Sequence, residues 1–142
     1  MKNLKALSLA LPLLLLCMAC SSDDNPNLIE FETIAISDQS PTSPGRSEHV
    51  INSEEAYEAL LGTNSTVDFN RETVIAVFLG PTGNDNNTFE ITEVIDNTSS
   101  ITVKIVWQIP RILSGPNSNH YHVVKTRKLS RSINFSTTEV RL

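Results

Sequence analysis

Short apolar stretches separated by turn-forming residues run through most of this chain. SITVKIVWQI, residues 100–109, alternates strictly, so every second side chain falls on one face of an extended strand. TVIAVFLG, residues 73–80, is apolar throughout, which is typical of a central strand covered on both faces. By the same pattern, six strands are predicted at 28–36, 73–80, 88–95, 100–109, 120–129 and 132–140. A break in the alternation near Glu93 predicts a bulge in the third of them.

Only one segment has the pattern of a helix. Ser53 can accept a hydrogen bond from the first turn, and the acidic residues after it suit the positive end of the helix dipole. Apolar residues recur four apart over residues 54–61, and Gly62 is a natural stop. We therefore expect a mainly β domain: about six antiparallel strands in a sandwich or curled sheet, with one short N-terminal α-helix. An α+β arrangement is the alternative.

The first 27 residues are typical of a leader and a tether. Lys2 and Lys5 precede an apolar run that ends near Leu16, the build of a secretory signal and too short to span a bilayer. Ala19 before Cys20 resembles a bacterial lipobox, so we expect cleavage between them and lipidation of Cys20. The predicted organisation is a signal peptide over 1–19, a lipidated cysteine and flexible tether over 20–27, and one domain over 28–142. A plain secretory signal is the alternative.

Lipidation would place the domain in the cell envelope. A diacylglyceryl cysteine, often with a third chain, holds a protein on a membrane more firmly than one acyl chain does. Ser21-Ser22-Asp23-Asp24-Asn25 resembles the acidic export signal of Bacteroidetes lipoproteins, which implies the outer membrane and its surface. A simple polar spacer, with the domain facing the periplasm, is the other interpretation.

Charge is distributed unevenly along the chain. Without the leader, nine basic residues stand against 16 acidic ones, a formal net charge of −7, which argues against a nucleic-acid partner. Residues 20–96 carry a net −13 and residues 97–142 a net +6. Either strands of the two halves pair and neutralise one another, or the basic stretch from Lys125 to Arg131 is an exposed ridge for an acidic partner.

Few residues in the sequence suggest a catalytic or metal-binding site. His120 and His122 lie two apart and so share one face of a strand, a spacing that can ligate a metal if a third ligand joins them. Two partly exposed histidines on an edge strand are the ordinary alternative. The sequence has no G-x-S-x-G, no H-E-x-x-H and no phosphate-binding glycine loop. We therefore expect no enzymatic activity, no cofactor and no bound metal.

One family resemblance rests on VDFNRETVIAVFLGPTG, residues 67–83, with VINSEEAYEALLG upstream and HYHVVKTRKL downstream. These segments resemble the C-terminal domain of PrcB-type protease complex subunits over about residues 50–128. The resemblance implies a lipoprotein that is a partner subunit of a surface protease and not a catalyst. Gly80, Pro81, Thr82 and Gly83 match the start of that family's P-T-G-G-Y loop, whereas Asn84 and Asp85 replace its Gly and Tyr.

Taken together, these observations predict a non-enzymatic protein-binding lipoprotein, an accessory or inhibitor-like subunit of a protease complex. The residues expected to contact the partner are Gly80, Pro81, Thr82, Gly83, His120, Tyr121 and His122. The alternative is a lipoprotein that binds a small molecule or a metal through the His120/His122 face.

Overall fold

The computed structural model describes residues 27–42, 45–83, 86–111 and 116–142. Seven strands and one helix follow one another along the described chain. They are β1 (Phe31–Ser37), β2 (Ser47–Ile51), α1 (Glu54–Leu61), β3 (Glu72–Thr82), β4 (Thr88–Asp96), β5 (Ile101–Ile109), β6 (Ser118–Arg127) and β7 (Ile133–Arg141). The predicted leader, Cys20 and the tether as far as residue 26 lie outside the described residues, as do Asn84 and Asp85.

The strands form two packed sheets. One has four strands in the order β1-β6-β3-β2, with all neighbours antiparallel, and the other has three in the order β4-β5-β7. The mainly β fold with one short helix is therefore confirmed. Within the three-stranded sheet β4 and β5 are antiparallel, but β7 runs parallel to β5. The expectation of a wholly antiparallel arrangement is wrong for that pair, because the chain crosses from one sheet to the other between β6 and β7.

A seventh strand, β2, was not predicted. Its sequence SEHVI has only two apolar residues and follows a loop rich in Ser and Pro, so it carries too weak a pattern to be recognised alone. It becomes a strand because β3 offers a free edge, with pairs from Ser47↔Phe78 to Ile51↔Val74. The predicted bulge near Glu93 is confirmed by a shift of register between Ile91 and Glu93.

The core has two parts, one on each face of β3. Alternate residues of β3 point between the two sheets, among them Ile75 and Val77, where they pack against apolar residues of β4 and β5. The intervening residues Val74, Ala76 and Phe78 pack under α1. Each face of β3 thus packs into one part of the core, as its unbroken apolar sequence predicts. Among the described residues, no helix has the length and apolar character needed to cross a membrane.

Helix α1 has the ends predicted for it. The Ser53 hydroxyl accepts a hydrogen bond from the Ala56 N–H at 3.2 Å, and Gly62 closes the helix with φ +69° and an N–H bond to the Glu58 carbonyl at 2.8 Å. Its buried side chains, Tyr57 and Leu61, lie four apart and face the four-stranded sheet.

Candidate functional site

Pairing of β3 with β6 brings the two groups of predicted contact residues together. In this ladder Gly80 lies opposite His120, and Thr82 lies opposite Ser118. The loop residues that match the family pattern and the histidine-containing strand are therefore neighbours, although about 40 residues separate them in sequence. Sequence spacing alone could not show this adjacency.

Gly80 lies where β3 bends. The register of the β3–β6 ladder shifts between Phe78 and Gly80, and Gly80 has φ +81°, a conformation that favours glycine. A Cβ at this position would lie 2.8 Å from the Arg46 backbone nitrogen, so the missing side chain also lets the start of β2 approach. Gly80 is therefore a structural residue that shapes the loop, and Pro81 and Gly83 are the exposed members of the predicted set.

Thr82 takes part in a polar cluster under that loop. Its hydroxyl lies 3.1 Å from the Ser118 hydroxyl and accepts a hydrogen bond from the Asn87 side-chain amide at 3.3 Å. Both Asn87 and Ser118 are buried. The cluster joins the end of β3 to the starts of β4 and β6, so Thr82 connects the strand ends.

His122 is an interior residue that joins the two sheets. Its side chain is 4% exposed, and its Nδ1 accepts a hydrogen bond from the Ile91 N–H in β4 at 2.9 Å. Because Nδ1 accepts a hydrogen bond, the proton of the neutral ring is on Nε2, which lies 2.9 Å from the Thr33 hydroxyl in β1. Burial lowers the pKa of His122, which favours this neutral form.

His120 points into the same interior and is 8% exposed. Its Nε2 has no hydrogen-bond partner among the described residues. The prediction of two partly exposed histidines on an edge strand is wrong, because β6 lies between β1 and β3 and both histidines are buried. The described residues contain no group of three His, Cys, Asp or Glu side chains placed to hold a metal ion.

Tyr121 lies on the opposite face of β6 from the two histidines, as the alternation of a strand requires. It stacks on Phe78 with ring centroids 5.8 Å apart and an interplanar angle of 13°, and Phe78 in turn meets His49 edge-on at 5.7 Å. The half-buried Tyr121 therefore belongs to the helix-side core. The three predicted residues of β6 do not form one surface.

A cation–π contact that the sequence did not reveal joins the two sheets near residues 80–83. The Arg46 guanidinium lies over the Trp107 ring, 5.5 Å from its centroid. Trp107 shares the inner face of β5, as its alternation predicts, but nothing in the loop before β2 marks Arg46 as its partner.

The strand ends define two poles of the molecule. The chain enters at the proximal pole, residues 27–29 and 97–100, where the Ile29 N–H bonds to the Val94 carbonyl at 2.8 Å. The distal pole, residues 45–46, 80–83 and 116–119, lies at the opposite ends of the same strands. The residues that match the family loop are thus about one strand length from the point where the predicted tether joins the domain.

The basic stretch from Lys125 to Arg131 is largely paired with acids. Lys125 lies 3.3 Å from Glu32 and 3.4 Å from Glu72, and these carboxylates raise its pKa. Arg131 donates to the Asp96 carboxylate from both terminal guanidinium nitrogens, which lowers the pKa of Asp96. These pairs join the acidic part of the chain to the basic part, so the neutralisation alternative describes these residues better than an exposed ridge does.

Comparison with known proteins returned no match among protein-family models, curated proteins or solved structures. The resemblance to PrcB-type subunits therefore stays a prediction from the residues that carry it.

Proposed function

We propose that this protein is a membrane-anchored, non-enzymatic binding module that presents its distal pole to a protein partner. The observation that supports the proposal is the two-pole arrangement: residues 27–29 join the domain at one end, and residues 80–83 lie at the other. A lipid on Cys20 would hold the proximal pole near the bilayer and leave the distal pole facing outward. The resemblance to protease complex subunits makes a protease the partner to test first.

The exposed residues of the distal pole suit a contact surface. Pro81, Gly83 and Asn117 are exposed, while the polar cluster of Thr82, Asn87 and Ser118 lies beneath them. Strand pairing and this cluster hold the strand ends in place, so little conformational entropy would be lost when a partner binds.

A matched pair of variants tests the distal pole. Asn117→Arg adds a bulky cation next to Gly83, and Ser99→Arg adds the same group at the proximal pole. We expect the anchored wild-type protein to co-purify a partner at low and at moderate salt. Asn117→Arg should reduce recovery at least tenfold and Ser99→Arg should not. Equal recovery with both variants, or no partner above background at any salt concentration, contradicts the proposal.

The anchor is tested separately by Cys20→Ser. The variant should move from the membrane fraction to the soluble fraction, because the acyl chains that bind the bilayer are absent. A Cys17→Ser control should remain with the membrane, since that residue is expected to leave with the leader. A Cys20→Ser protein that stays in the membrane fraction would rule out the lipid anchor.

A metal-binding alternative has one observation in its favour: the Nε2 of His120 has no hydrogen-bond partner within the part of the chain that the structure describes. It requires further ligands beyond those that the described residues supply. Titration with Zn²⁺ or Cu²⁺ decides it: a rise in melting temperature that His120→Ala abolishes would support metal binding, and an unchanged melting temperature would exclude it.

A further inference from the structure

A cavity of about 330 Å³ lies where the four-stranded sheet meets α1 and the chain that follows it. Residues 32–34 of β1 and Lys125 of β6 line the cavity from the sheet, and Tyr57 of α1 and residues 64–67 complete it. Its volume is within the range of about 300–1,000 Å³ that is typical of small-molecule sites.

Residues 64–67 have no regular secondary structure, but hydrogen bonds hold them in place. The Glu54 carboxylate at the start of α1 accepts hydrogen bonds from the Ser65 N–H, at 2.7 Å, and from the Ser65 hydroxyl. The Ser65 hydroxyl oxygen in turn accepts the Val67 N–H at 3.3 Å. This side of the cavity is therefore formed before any ligand binds, which reduces the conformational entropy that binding would cost.

Lys125 places a hydrogen-bond donor beside an acceptor in the cavity lining. Its ammonium lies 3.3 Å from Glu32 and 3.4 Å from Glu72, and its side chain is only 24% exposed. An ammonium group has three N–H donors, so two carboxylate partners leave one donor for a ligand. Lys125 contacts one oxygen of Glu32, and the other oxygen is available to accept a hydrogen bond from the same ligand.

Tyr57 adds a hydroxyl group to the lining. The residue is 5% exposed, and its hydroxyl makes no hydrogen bond to any described residue. Burial raises the pKa of this hydroxyl and the nearby Glu54 charge adds to the rise, so the group stays protonated at neutral pH. A buried tyrosine hydroxyl usually has a partner, and a ligand in the cavity would supply one here.

The charges around the cavity favour a neutral ligand. In the described part of the chain, Glu32 and Lys125 are the charged side chains that line the cavity, and Glu72 contacts Lys125. Their formal charges sum to −1, which disfavours an anion, while the ammonium disfavours a cation. Ile34 and Val67 are partly buried and give the lining an apolar portion. A compact ring with several hydroxyl groups fits this mixture, because each hydroxyl can donate and accept while the ring C–H groups cover the apolar side chains.

We propose that this cavity binds one neutral sugar ring of hexose size. Hydroxyl groups of the ring bond to Lys125, Glu32 and Tyr57, and its C–H face contacts Ile34 and Val67. Lys125 lies near the end of β6 that is away from the distal pole, so the site requires neither the partner surface nor the lipid anchor.

Isothermal titration calorimetry tests the proposal on the full protein in nanodiscs of phosphocholine lipids, which contain no sugar. The probes are glucose, galactose and mannose, and we expect saturable binding of at least one. With that probe, Lys125→Met should weaken binding at least tenfold and Tyr57→Phe at least threefold. The control Lys104→Met removes a comparable ion pair, 2.7 Å from Glu93 in the other sheet, and should bind as the wild type does.

Two further measurements test the class of ligand and the place where it binds. The uronate and the amino sugar that correspond to the bound hexose should bind at least fivefold more weakly, because each adds a charge. In ¹H–¹⁵N spectra the hexose should shift the amides of residues 64–67 and Lys125 and leave those of residues 116–119 unchanged.

A methyl glycoside distinguishes two sources of the ring. If it binds as well as the free hexose, the site accepts the end of a glycan chain, and if only the free hexose binds, the ligand is a monosaccharide. The proposal is overturned if none of the three hexoses binds saturably, if a charged analogue binds more tightly than its parent, or if the shifts fall outside the cavity. Equal binding by Lys125→Met and Lys104→Met would also overturn it.

Discussion

At the scale of single residues, Gly80 shows how one position can shape a surface without contacting anything bound there. Its φ of +81° favours glycine, and a Cβ at this position would lie only 2.8 Å from the Arg46 backbone nitrogen. The positions of Pro81 and Gly83 at the end of β3 follow from this bend. Family resemblance marks Gly80 as a contact residue, and the geometry explains it as a residue that positions the contact.

Gly80→Ala should lower the free energy of unfolding by about 3 kcal/mol, because a left-handed conformation and a backbone clash act together. Gly62→Ala is the matched control: its φ is +69°, but a Cβ there would have no atom within 4 Å. The control should lose only about 1 kcal/mol, the cost of the left-handed conformation alone. Urea unfolding measures both losses. Equal losses would show that the backbone at Arg46 can move away from the added Cβ without a cost in free energy.

At the scale of elements, α1 is the part of the fold that local sequence specifies most fully. Ser53 begins it, Gly62 ends it, and Tyr57 and Leu61 bind it to the sheet. A second interaction ties it down: the Glu54 carboxylate bonds to the side-chain hydroxyl and backbone N–H of Ser65, and the pKa of Glu54 is lowered as a result.

Ser53→Ala should destabilise the protein by about 1 kcal/mol, because the Ala56 N–H loses its acceptor. Thermal or urea unfolding measures the change. Ser53→Asp should restore most of the loss, since a carboxylate can accept the same bond and suits the helix N-terminus. If Ser53→Asp were as unstable as Ser53→Ala, the cap would not be the cause.

At the scale of the whole molecule, His122 connects strands of both sheets through β1, β4 and β6. Protonation would turn its Nδ1 from an acceptor into a donor facing the Ile91 N–H. Because burial lowers the pKa of His122 in the folded protein, the unfolded chain binds a proton more readily. The stability that the neutral ring contributes is therefore present above the unfolded pKa of about 6.5 and is lost as the pH falls through the folded pKa.

We expect the free energy of unfolding to fall between pH 7.5 and pH 5.5, and His122→Gln to show a smaller decrease over this range. The variant should also be less stable at pH 7.5 by about 1–3 kcal/mol, since buried partners lose hydrogen bonds. Urea unfolding at several pH values measures both effects. An unchanged slope in His122→Gln would show that another group carries the pH dependence.

How far local pattern determines this protein is clearest for β3, β5 and α1. Alternation specified the buried face of β5, continuous apolarity specified a strand with two covered faces, and Ser53 and Gly62 specified the helix ends. These signals are local, since each depends on the spacing of residues within one element. For the same reason the mainly β class could be predicted without any knowledge of which strands are neighbours.

Tertiary structure alone decided the pairing and its consequences. It made SEHVI a strand because β3 offered an edge, set β7 parallel to β5, and moved His120 and His122 from an expected surface into the interior because β6 became a central strand. It also brought residues 80–83 beside residues 118–120 and placed Arg46 over Trp107. Each of these features joins segments that are far apart in sequence. Local patterns such as alternation and capping do not show which distant segments will be in contact.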